Sequence, residues 1–361
     1  MNAGQPFLVH TESSMAWGGQ EIRIHTELKR LKTFGWRVEL WAPKRSDVYL
    51  KSKAVQIPVE CVAFRRSWDP GSIRLVRKLV REKRPDIIVT HSSIDSWVVG
   101  LATRGMSDRL NIVRMRHLST PVKNILPYRW FADAVGTTSE DIRRILISRG
   151  LSQDCVATLP TGVDLQRFHP NPGVKSELQK KFGLPLDRPV VGGVFVIRSW
   201  KGIYDFVKIA ATVPNAHFVV VGEGPSREAM MKSAAEQGVA DRMMFTGHVE
   251  AVEEILWAMD VFLFPSTANE GIPQALLQAQ GCGVPAVISD LPSLREAAGA
   301  ALVCPVGNIQ MFSDAIAKML IDSDRARAIS SAGLEWVNRF DQEKMMANID
   351  AFYRRIIASR T

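Results

Sequence analysis

Cysteine is scarce in this sequence, with four residues among 361. The four are far apart, no two form a CxxC pair, and no histidines stand beside them at the spacing of metal ligands. Disulfide bonds and a zinc site are therefore not expected. Each cysteine lies in or beside an apolar stretch, which predicts small buried side chains. The four positions are Cys61, Cys155, Cys282 and Cys304.

Long hydrophobic runs and long polar tracts are also missing. Hydrophobic residues make up 46% and charged residues 23% of the chain, which is typical of a folded globular protein. No apolar run approaches the ~18 to 20 residues that span a bilayer, and residues 1–10 lack the basic start and apolar stretch of a signal peptide. These absences predict a cytoplasmic protein.

Positive charge is in excess, and the whole excess lies in the first half of the chain. Residues 1–165 hold 26 lysines and arginines against 16 acidic residues, a balance of +10, whereas residues 166–361 hold 20 against 21. The imbalance predicts an anionic partner for the first half. Nucleic acid is not expected, because no aromatic residues alternate with these charges and no nucleic-acid-binding motif accompanies them.

The densest basic segment has the spacing of an amphipathic helix, with an apolar side and a charged side. The charged side consists of Arg74, Arg77, Lys78, Arg81, Lys83 and Arg84. Such a helix can lie on an anionic membrane, which would place the protein peripherally on the inner face of the cytoplasmic membrane. A solvated face on an ordinary domain is the alternative.

Strand-like runs rich in Val, Ile, Leu and Phe alternate with longer helical patterns, which predicts an α/β fold with parallel sheets. The length favours two doubly wound domains. Their predicted bounds are 1–165 and 189–338, with a proline- and glycine-rich linker at 166–188 and a final helix at 339–361 that packs back toward the first domain. The predicted strands are 7–10, 38–42, 87–91, 112–115, 134–137, 156–159, 190–197, 217–222, 244–247, 261–265, 286–289 and 302–305.

The strongest chemical signal is a short loop between a predicted strand and a helix whose first turn suits Pro273. Loop amides at a helix N-terminus form an anion site suited to a diphosphate, and Gly271 lets the backbone come close. Glu270 beside phosphates is expected to accept hydrogen bonds from sugar hydroxyls, and Gln278 could reach a ribose. The predicted nucleotide-sugar loop comprises Glu270, Gly271, Ile272, Pro273, Gln274 and Gln278.

Two cations, Arg198 and Lys201, follow another predicted strand, at the sheet edge where open α/β folds bind ligands. Their fixed charges suit a diphosphate and would stabilise a departing nucleotide. A surface cation–π cluster around Trp200 is the alternative.

In the first half, Gly18 and Gly19 form a turn after the first predicted strand, where the backbone can approach a phosphate or sugar. The turn lacks the GxGxxG spacing of a dinucleotide fold. His91 and His117 stand at predicted strand ends. For each, a packed or hydrogen-bonded histidine is the alternative to a catalytic one.

These motifs resemble those of the retaining glycosyltransferases of family 4, of the bacterial cell-envelope and lipopolysaccharide type. The resemblance implies a GT-B fold, in which two Rossmann-like domains face each other across a cleft. The family carries two glutamates seven residues apart at the position of Glu270, and this sequence has Gln278 in the second place. Because an amide also donates and accepts hydrogen bonds, donor binding is expected to persist with altered strength or nucleotide preference. The family's Arg and Lys are usually further apart than Arg198 and Lys201.

The resemblance implies a metal-independent hexosyltransferase that moves a sugar from a UDP- or GDP-linked donor to an acceptor hydroxyl with retention of configuration, by same-face displacement. The catalytic residues that it implies are His117, Arg198, Lys201 and Glu270. Donor contacts also include Gly18 and Gly19, and the acceptor-side contacts are Gly19, Glu21, His91 and Arg116. The basic first domain favours an anionic or lipid-linked glycan acceptor, such as a glycolipid or lipopolysaccharide precursor.

A DxD triplet, as in metal-using glycosyltransferases, occurs at residues 322–324. It lies between two predicted helices, where Ser323 or Asp324 is expected to cap a helix. No metal or cofactor is expected, since Arg198, Lys201 and a helix N-terminus supply the charge. Two rival interpretations remain. One is a nucleotide-sugar-binding protein without transferase activity, and the other is a nucleotide-sugar epimerase of the same fold, which would need no acceptor.

Overall fold

The computed structural model describes residues 5–106 and 110–359. These residues form two compact units. The first holds the chain up to Thr161 together with the segment from Lys344, and the second is Gly162–Glu343. Each unit contains a parallel sheet covered by helices, so the predicted α/β class with two doubly wound domains is confirmed.

In the first unit the described residues form a seven-stranded parallel sheet of order β3-β2-β1-β4-β5-β6-β7. The strands are β1 Phe7–Thr11, β2 Arg37–Ala42, β3 Val59–Cys61, β4 Ile87–Thr90, β5 Asn111–Arg116, β6 Ala134–Thr137 and β7 Val156–Thr158. Strands β1 and β4 are buried along their whole length, as expected for central strands with helices on both faces.

The helices of this unit are α1 Gly19–Thr33, α2 Asp47–Ala54, α3 Pro70–Lys83, α4 Ser93–Thr103, α5 Leu126–Trp130 and α6 Glu140–Ser148. Alternate residues of the strands face opposite sides of the sheet. Leu8 packs with α1 and α2, whereas Phe7 and Val9 pack with α3 and α4. The apolar stripe of the last helix, α15 Gln342–Ala358, includes Ile349 and Tyr353 and joins the core on the α1 side.

In the second unit the described residues form a six-stranded parallel sheet of order β10-β9-β8-β11-β12-β13. The strands are β8 Val190–Val194, β9 His217–Val221, β10 Met243–Gly247, β11 Val261–Phe264, β12 Ala286–Ser289 and β13 Leu302–Cys304. The helices are α7 Lys175–Phe182, α8 Ile203–Thr212, α9 Arg227–Glu236, α10 Val252–Trp257, α11 Gln274–Gly281, α12 Pro292–Ala297, α13 Ile309–Ile321 and α14 Ser323–Val337.

Three predictions about the fold are corrected by the structure. Strand β3 was not predicted, because its three residues lack an apolar pattern. The predicted strand 190–197 ends at Val194, after which the chain leaves the regular ladder. Residues 166–188 are not a free linker, because they include α7, which packs into the second unit through the buried Leu178 and pairs Lys175 with Asp260.

The prediction of four buried cysteines is half wrong. Cys282 and Cys304 are buried, but Cys61 and Cys155 are exposed. Cys61 ends the strand β3 at the edge of its sheet, and Cys155 ends a short 3₁₀ helix before β7. Apolar neighbours in sequence therefore do not place a side chain in the core when the segment lies at an edge.

Candidate active site

The carboxyl ends of β8 and β11, which are neighbours in the sheet, bring two predicted site residues together. Lys201 Nζ lies 2.7 Å from Glu270 Oε1 and 2.9 Å from Glu270 Oε2. Ser266, directly after β11, donates to Glu270 Oε1 at 2.7 Å, and Ser293 donates to the Glu270 carbonyl oxygen at 2.7 Å. Glu270 is buried and Lys201 is 16% exposed, so the ammonium is the member of the pair that reaches solvent.

The backbone around this pair is tightly constrained. Gly202 has φ +69°, and a Cβ there would lie 1.9 Å from the carbonyl oxygen of Pro265. Thr267 N donates to the Trp200 carbonyl oxygen at 2.8 Å, which joins the loop after β8 to the loop after β11. Asn269 adopts φ +60° immediately before Glu270. Glycine is therefore required at position 202, and the two loops hold Lys201 and Glu270 at a fixed separation.

The loop after Glu270 leads directly into α11. Gly271, Ile272 and Pro273 are buried, and Pro273 is the N-cap residue, one position before the predicted first turn. The first turn of α11 carries no acidic residue, so its free N–H groups keep their favourable field for an anion. Gln274 and Gln278 are both partly exposed and lie one helical turn apart on α11.

Arg198 and Lys201 differ in their surroundings. The Arg198 guanidinium lies 5.1 Å from the centre of the Trp200 ring, as in the cation–π alternative. Lys201 instead pairs with Glu270 and lies 4.9 Å from the centre of the Phe264 ring. The cation–π alternative thus describes Arg198 and not Lys201.

In the first unit, three histidines from adjacent strands form a continuous row, which we call the histidine stack: His10, His91 and His117. His10 Nδ1 lies 2.8 Å from His91 Nε2, and His91 Nδ1 lies 2.9 Å from His117 Nε2. Neighbouring rings stack at centroid distances of 5.0 and 5.2 Å. His10 and His91 are buried, whereas His117 is partly exposed.

Burial keeps the histidine stack neutral. It lowers the pKa of His10 to about 4, although the nearby Glu27 opposes the shift. The pKa values of His91 and His117 are also well below the usual value, first because of burial and then because of neighbouring positive charge, including that of Arg114. At neutral pH each ring therefore carries one proton.

A carboxylate cluster lies beside the Gly18-Gly19 turn. Burial, followed by the charges of Asp95 and Glu21, raises the pKa of Glu12 to about 8. Glu21 accepts a hydrogen bond from Gly18 N at 3.0 Å, so this predicted acceptor contact caps α1. A Cβ at Gly19 would meet no atom within 4 Å, which leaves open space above the turn.

Arg116, the other predicted acceptor contact, is also engaged within the first unit. Its Nη1 donates to the Tyr128 hydroxyl at 2.7 Å, and its Nη2 donates to the Thr120 carbonyl oxygen. These bonds hold the guanidinium next to His117 in sequence but orient it toward Tyr128.

The predicted basic helix corresponds to α3, but two of its six charges serve the fold. Arg77 donates to the carbonyl oxygens of Ala102 and Leu101, near the end of α4. Lys83 forms ion pairs with Glu39 and Glu60. The exposed basic residues of the segment are Arg74, Lys78, Arg81 and Arg84.

The DxD triplet lies between α13 and α14, as predicted, but a different residue caps the helix. Asp322, and not Ser323 or Asp324, accepts from Arg325 N at 2.9 Å, while Asp324 pairs with Arg327. Among residues 5–106 and 110–359, no group of three His, Cys, Asp or Glu side chains could hold a metal ion. Within the same residues, no helix has the length and apolar character that a membrane span requires.

Several neighbours of the site were not predicted from the sequence. His10 stands one residue before the end of β1, in the same kind of position as the histidines that were singled out. Glu27 lies on α1, four residues after Arg23, whose Nε donates to it at 2.6 Å. Ser266 follows β11 directly. The strand-end positions of His10 and Ser266 were signals available in the sequence, but Glu27 lies in the middle of a helix and had none.

Comparison with known proteins assigns a family to these two units. Residues 17–167 match the model described as Glycosyltransferase Family 4, and residues 174–336 match the model described as Glycosyl transferases group 1. Together with the similar proteins below, these matches place the chain among the GT-B glycosyltransferases.

Two relatives and one solved structure illustrate the similarity. A 2-deoxystreptamine N-acetyl-D-glucosaminyltransferase of Streptomyces fradiae is 28% identical over 306 residues, which cover 76% of this chain and 72% of the relative. A GDP-mannose-dependent alpha-(1-6)-phosphatidylinositol monomannoside mannosyltransferase of Mycobacterium tuberculosis is 34% identical over 219 residues, and the match spans 56% of each protein, little more than half its length. HepE of Anabaena, solved with UDP and glucose, superposes with a TM-score of 0.84 at 18% identity over 97% of this chain and 100% of that one, and so shows the same fold.

Proposed function

We propose that this glycosyltransferase moves a hexose from a nucleoside diphosphate sugar to an acceptor hydroxyl with retention of configuration and without a metal ion. The observation that carries the proposal is the Lys201–Glu270 pair, held beside the N-terminus of α11 at the carboxyl ends of β8 and β11. Ligands of open α/β sheets bind at this edge. The pair offers a cation for phosphate and a carboxylate for hydroxyls within one site.

In this proposal the donor diphosphate binds between the N–H groups of α11 and the two cations. Lys201 is already fixed by Glu270, so it needs little reorganisation when an anion arrives. Arg198 is partly exposed over Trp200, free to turn its guanidinium toward a phosphate. The buried Glu270 keeps further lone pairs for hydroxyls of the sugar, and Gln278 contacts the ribose with its amide.

The leaving nucleotide develops negative charge, which these fixed positive groups stabilise. Because cations and helix N–H groups are supplied by the protein, the proposal needs no metal. The first unit is proposed to bind the acceptor, with His117 and the open space above Gly19 as contacts.

The acceptor is proposed to be an anionic or lipid-linked glycan. The excess positive charge of residues 1–165 favours an anionic acceptor or surface. The exposed side chains of Arg74, Lys78, Arg81 and Arg84 would contact anionic lipid headgroups at the inner face of the cytoplasmic membrane. The mannosyltransferase relative, named for a phosphatidylinositol monomannoside, supports an acceptor of this class.

Donor binding and turnover can be tested in sequence. A panel of UDP- and GDP-linked hexoses is first screened by thermal shift, since a ligand that binds only the folded state raises the melting temperature. The stabilising donor is then incubated with and without candidate glycolipid acceptors, and released nucleoside diphosphate is measured. Release that requires the acceptor supports the transferase. Release without any acceptor would indicate the epimerase, and binding without release would indicate a non-catalytic binding protein.

The membrane contact is tested with vesicles. Arg74→Glu/Arg81→Glu should weaken binding to vesicles containing anionic lipid by about tenfold or more, because each basic residue near such a surface contributes ~1 kcal/mol. Lys318→Glu/Arg325→Glu makes the same charge change on exposed positions of the second unit and should leave binding unchanged. Equal binding to neutral vesicles, or equal effects of both variants, would argue against the proposed surface.

A further inference from the structure

The histidine stack connects a buried carboxylate to a partly exposed ring. At the buried end, His10 Nε2 lies 3.6 Å from Glu27 Oε2, and no other group among the described residues hydrogen-bonds this nitrogen. At the other end, nothing in the described part of the chain hydrogen-bonds His117 Nδ1, while the His117 carbonyl oxygen accepts from Thr138. The row therefore has one end closed by Glu27 and one end open.

A count of protons restricts the stack to two arrangements. Three neutral rings carry three N–H groups, and each of the two hydrogen bonds between rings uses one of them. The third N–H lies either on His10 Nε2, facing Glu27, or on His117 Nδ1, at the open end. All N–H groups point the same way along the row in either case, so one end determines the other.

The surroundings of Glu27 select the first arrangement. Arg23, which is always protonated, donates to Glu27 Oε1 at 2.6 Å, and the Tyr353 hydroxyl donates to Oε2 at 3.4 Å. Glu27 therefore presents acceptor lone pairs to His10. A bare Nε2 facing these lone pairs would be repelled in a site that excludes water, so the proton lies on His10 Nε2.

We infer that Glu27, acting through His10 and His91, fixes His117 in the tautomer that has a proton on Nε2 and a lone pair on Nδ1. His117 then meets a ligand as a hydrogen-bond acceptor, which suits a sugar or acceptor hydroxyl and disfavours a phosphate oxygen. Glu27, His10 and His91 are positioning residues for this contact. That the ligand is a substrate of sugar transfer rests on the proposed function, but the tautomer itself does not.

The test is the tautomer of each ring, measured by ¹⁵N NMR on histidine-labelled protein, with the His117 signals assigned by their loss in His117→Asn. In the wild-type protein all three rings should carry the proton on Nε2. In Glu27→Gln the amide oxygen must accept from Arg23, so the amide N–H₂ faces His10 Nε2 and donates to it. The row should then reverse, and His117 should carry its proton on Nδ1.

Tyr353→Phe is the matched control, because it removes the other partner of Glu27 Oε2 without changing the carboxylate, and the wild-type tautomers should persist. A Nδ1 proton on His117 in the wild-type protein would overturn the inference without any variant, even if Glu27→Gln failed to fold. A folded Glu27→Gln protein whose His117 keeps the Nε2 proton would also overturn it.

Kinetics then connect the tautomer to the reaction. Glu27→Gln should lower kcat/KM about ten- to hundredfold, since a hydroxyl that donated to Nδ1 would meet a second donor, while donor binding in the second unit should be unchanged. Reversal of the row together with unchanged kcat/KM would overturn the assignment of His117 as an acceptor for substrate. If no donor or acceptor gives turnover, the proposed function fails, and the tautomer result is decided by NMR alone.

Discussion

Replacement of Lys201 by alanine should affect both turnover and stability. The substitution leaves the buried carboxylate of Glu270 without its cation, and breaking a buried ion pair by removing one partner costs about 3 to 5 kcal/mol. Ser266 still donates to Glu270, and the 16% exposure of Lys201 indicates that water can enter where the ammonium stood. We therefore expect the free energy of unfolding to fall by about 2 to 3 kcal/mol.

Arg198→Ala is the contrasting variant. Its side chain is partly exposed and contacts the Trp200 ring, an interaction worth about 0.5 to 1 kcal/mol at such sites. Both variants should lose turnover, because both cations are proposed to bind the diphosphate. From the sequence alone, both were expected to affect turnover far more than folding, and the ion pair of Lys201 changes that expectation for one of them.

The assay is urea unfolding of the wild type, the single variants and Lys201→Ala/Glu270→Gln. The double variant removes the unpaired charge, so it should recover about 1 to 2 kcal/mol relative to Lys201→Ala. A loss in Lys201→Ala of less than about 0.5 kcal/mol, or additive losses in the double variant, would refute the buried pair as the cause.

Two further predictions concern the buried titrating groups and the site backbone. The folded pKa of His10, about 4, lies below its unfolded value of 6.5, so the unfolded chain binds the extra proton as pH falls through this window and stability declines, by about 3 kcal/mol for His10 alone. The raised pKa of Glu12 acts in the opposite direction between pH 8 and its unfolded value of 4.5, but the other members of the histidine stack add to the loss; unfolding at pH 6.5, 5.5 and 4.5 measures the sum, and a flat profile would contradict the buried neutral stack. Gly202→Ala should destabilise the protein by about 2 kcal/mol or more in thermal unfolding, because φ is positive and the new Cβ would clash with Pro265, whereas Gly19→Ala should cost about 1 kcal/mol or less and a similar loss in both would be inconsistent with the strain.

Much of the fold could be predicted from local pattern. Runs such as residues 87–90 and 261–264 are apolar on both faces, and this is typical of central parallel strands. The same pattern failed for Val59–Cys61, where three residues at the sheet edge have one neighbouring strand and little to bury. It also ran past Val194, because apolar residues continue after the ladder ends.

The candidate site was predictable in its residue types but not in its pairings. Residues after parallel strands collect at one edge of a sheet, so Glu270, Lys201 and His117 could be singled out from position alone. Their partners could not. Lys201 and Glu270 are 69 positions apart, and the choice of each as the other's counter-ion follows from β8 and β11 being neighbours in the sheet.

The sequence by itself determined the α/β class, the two domains and the kinds of side chain at the strand ends, because these depend on short-range periodicity and on which residues follow a strand. Only the tertiary structure decided that β1, β4 and β5 lie side by side, and with them His10, His91 and His117. Strand order depends on the packing of distant helices and strands, which leaves no local pattern. The direction in which the histidine row holds its protons depends in turn on Glu27, a residue that reaches His10 only in the folded chain.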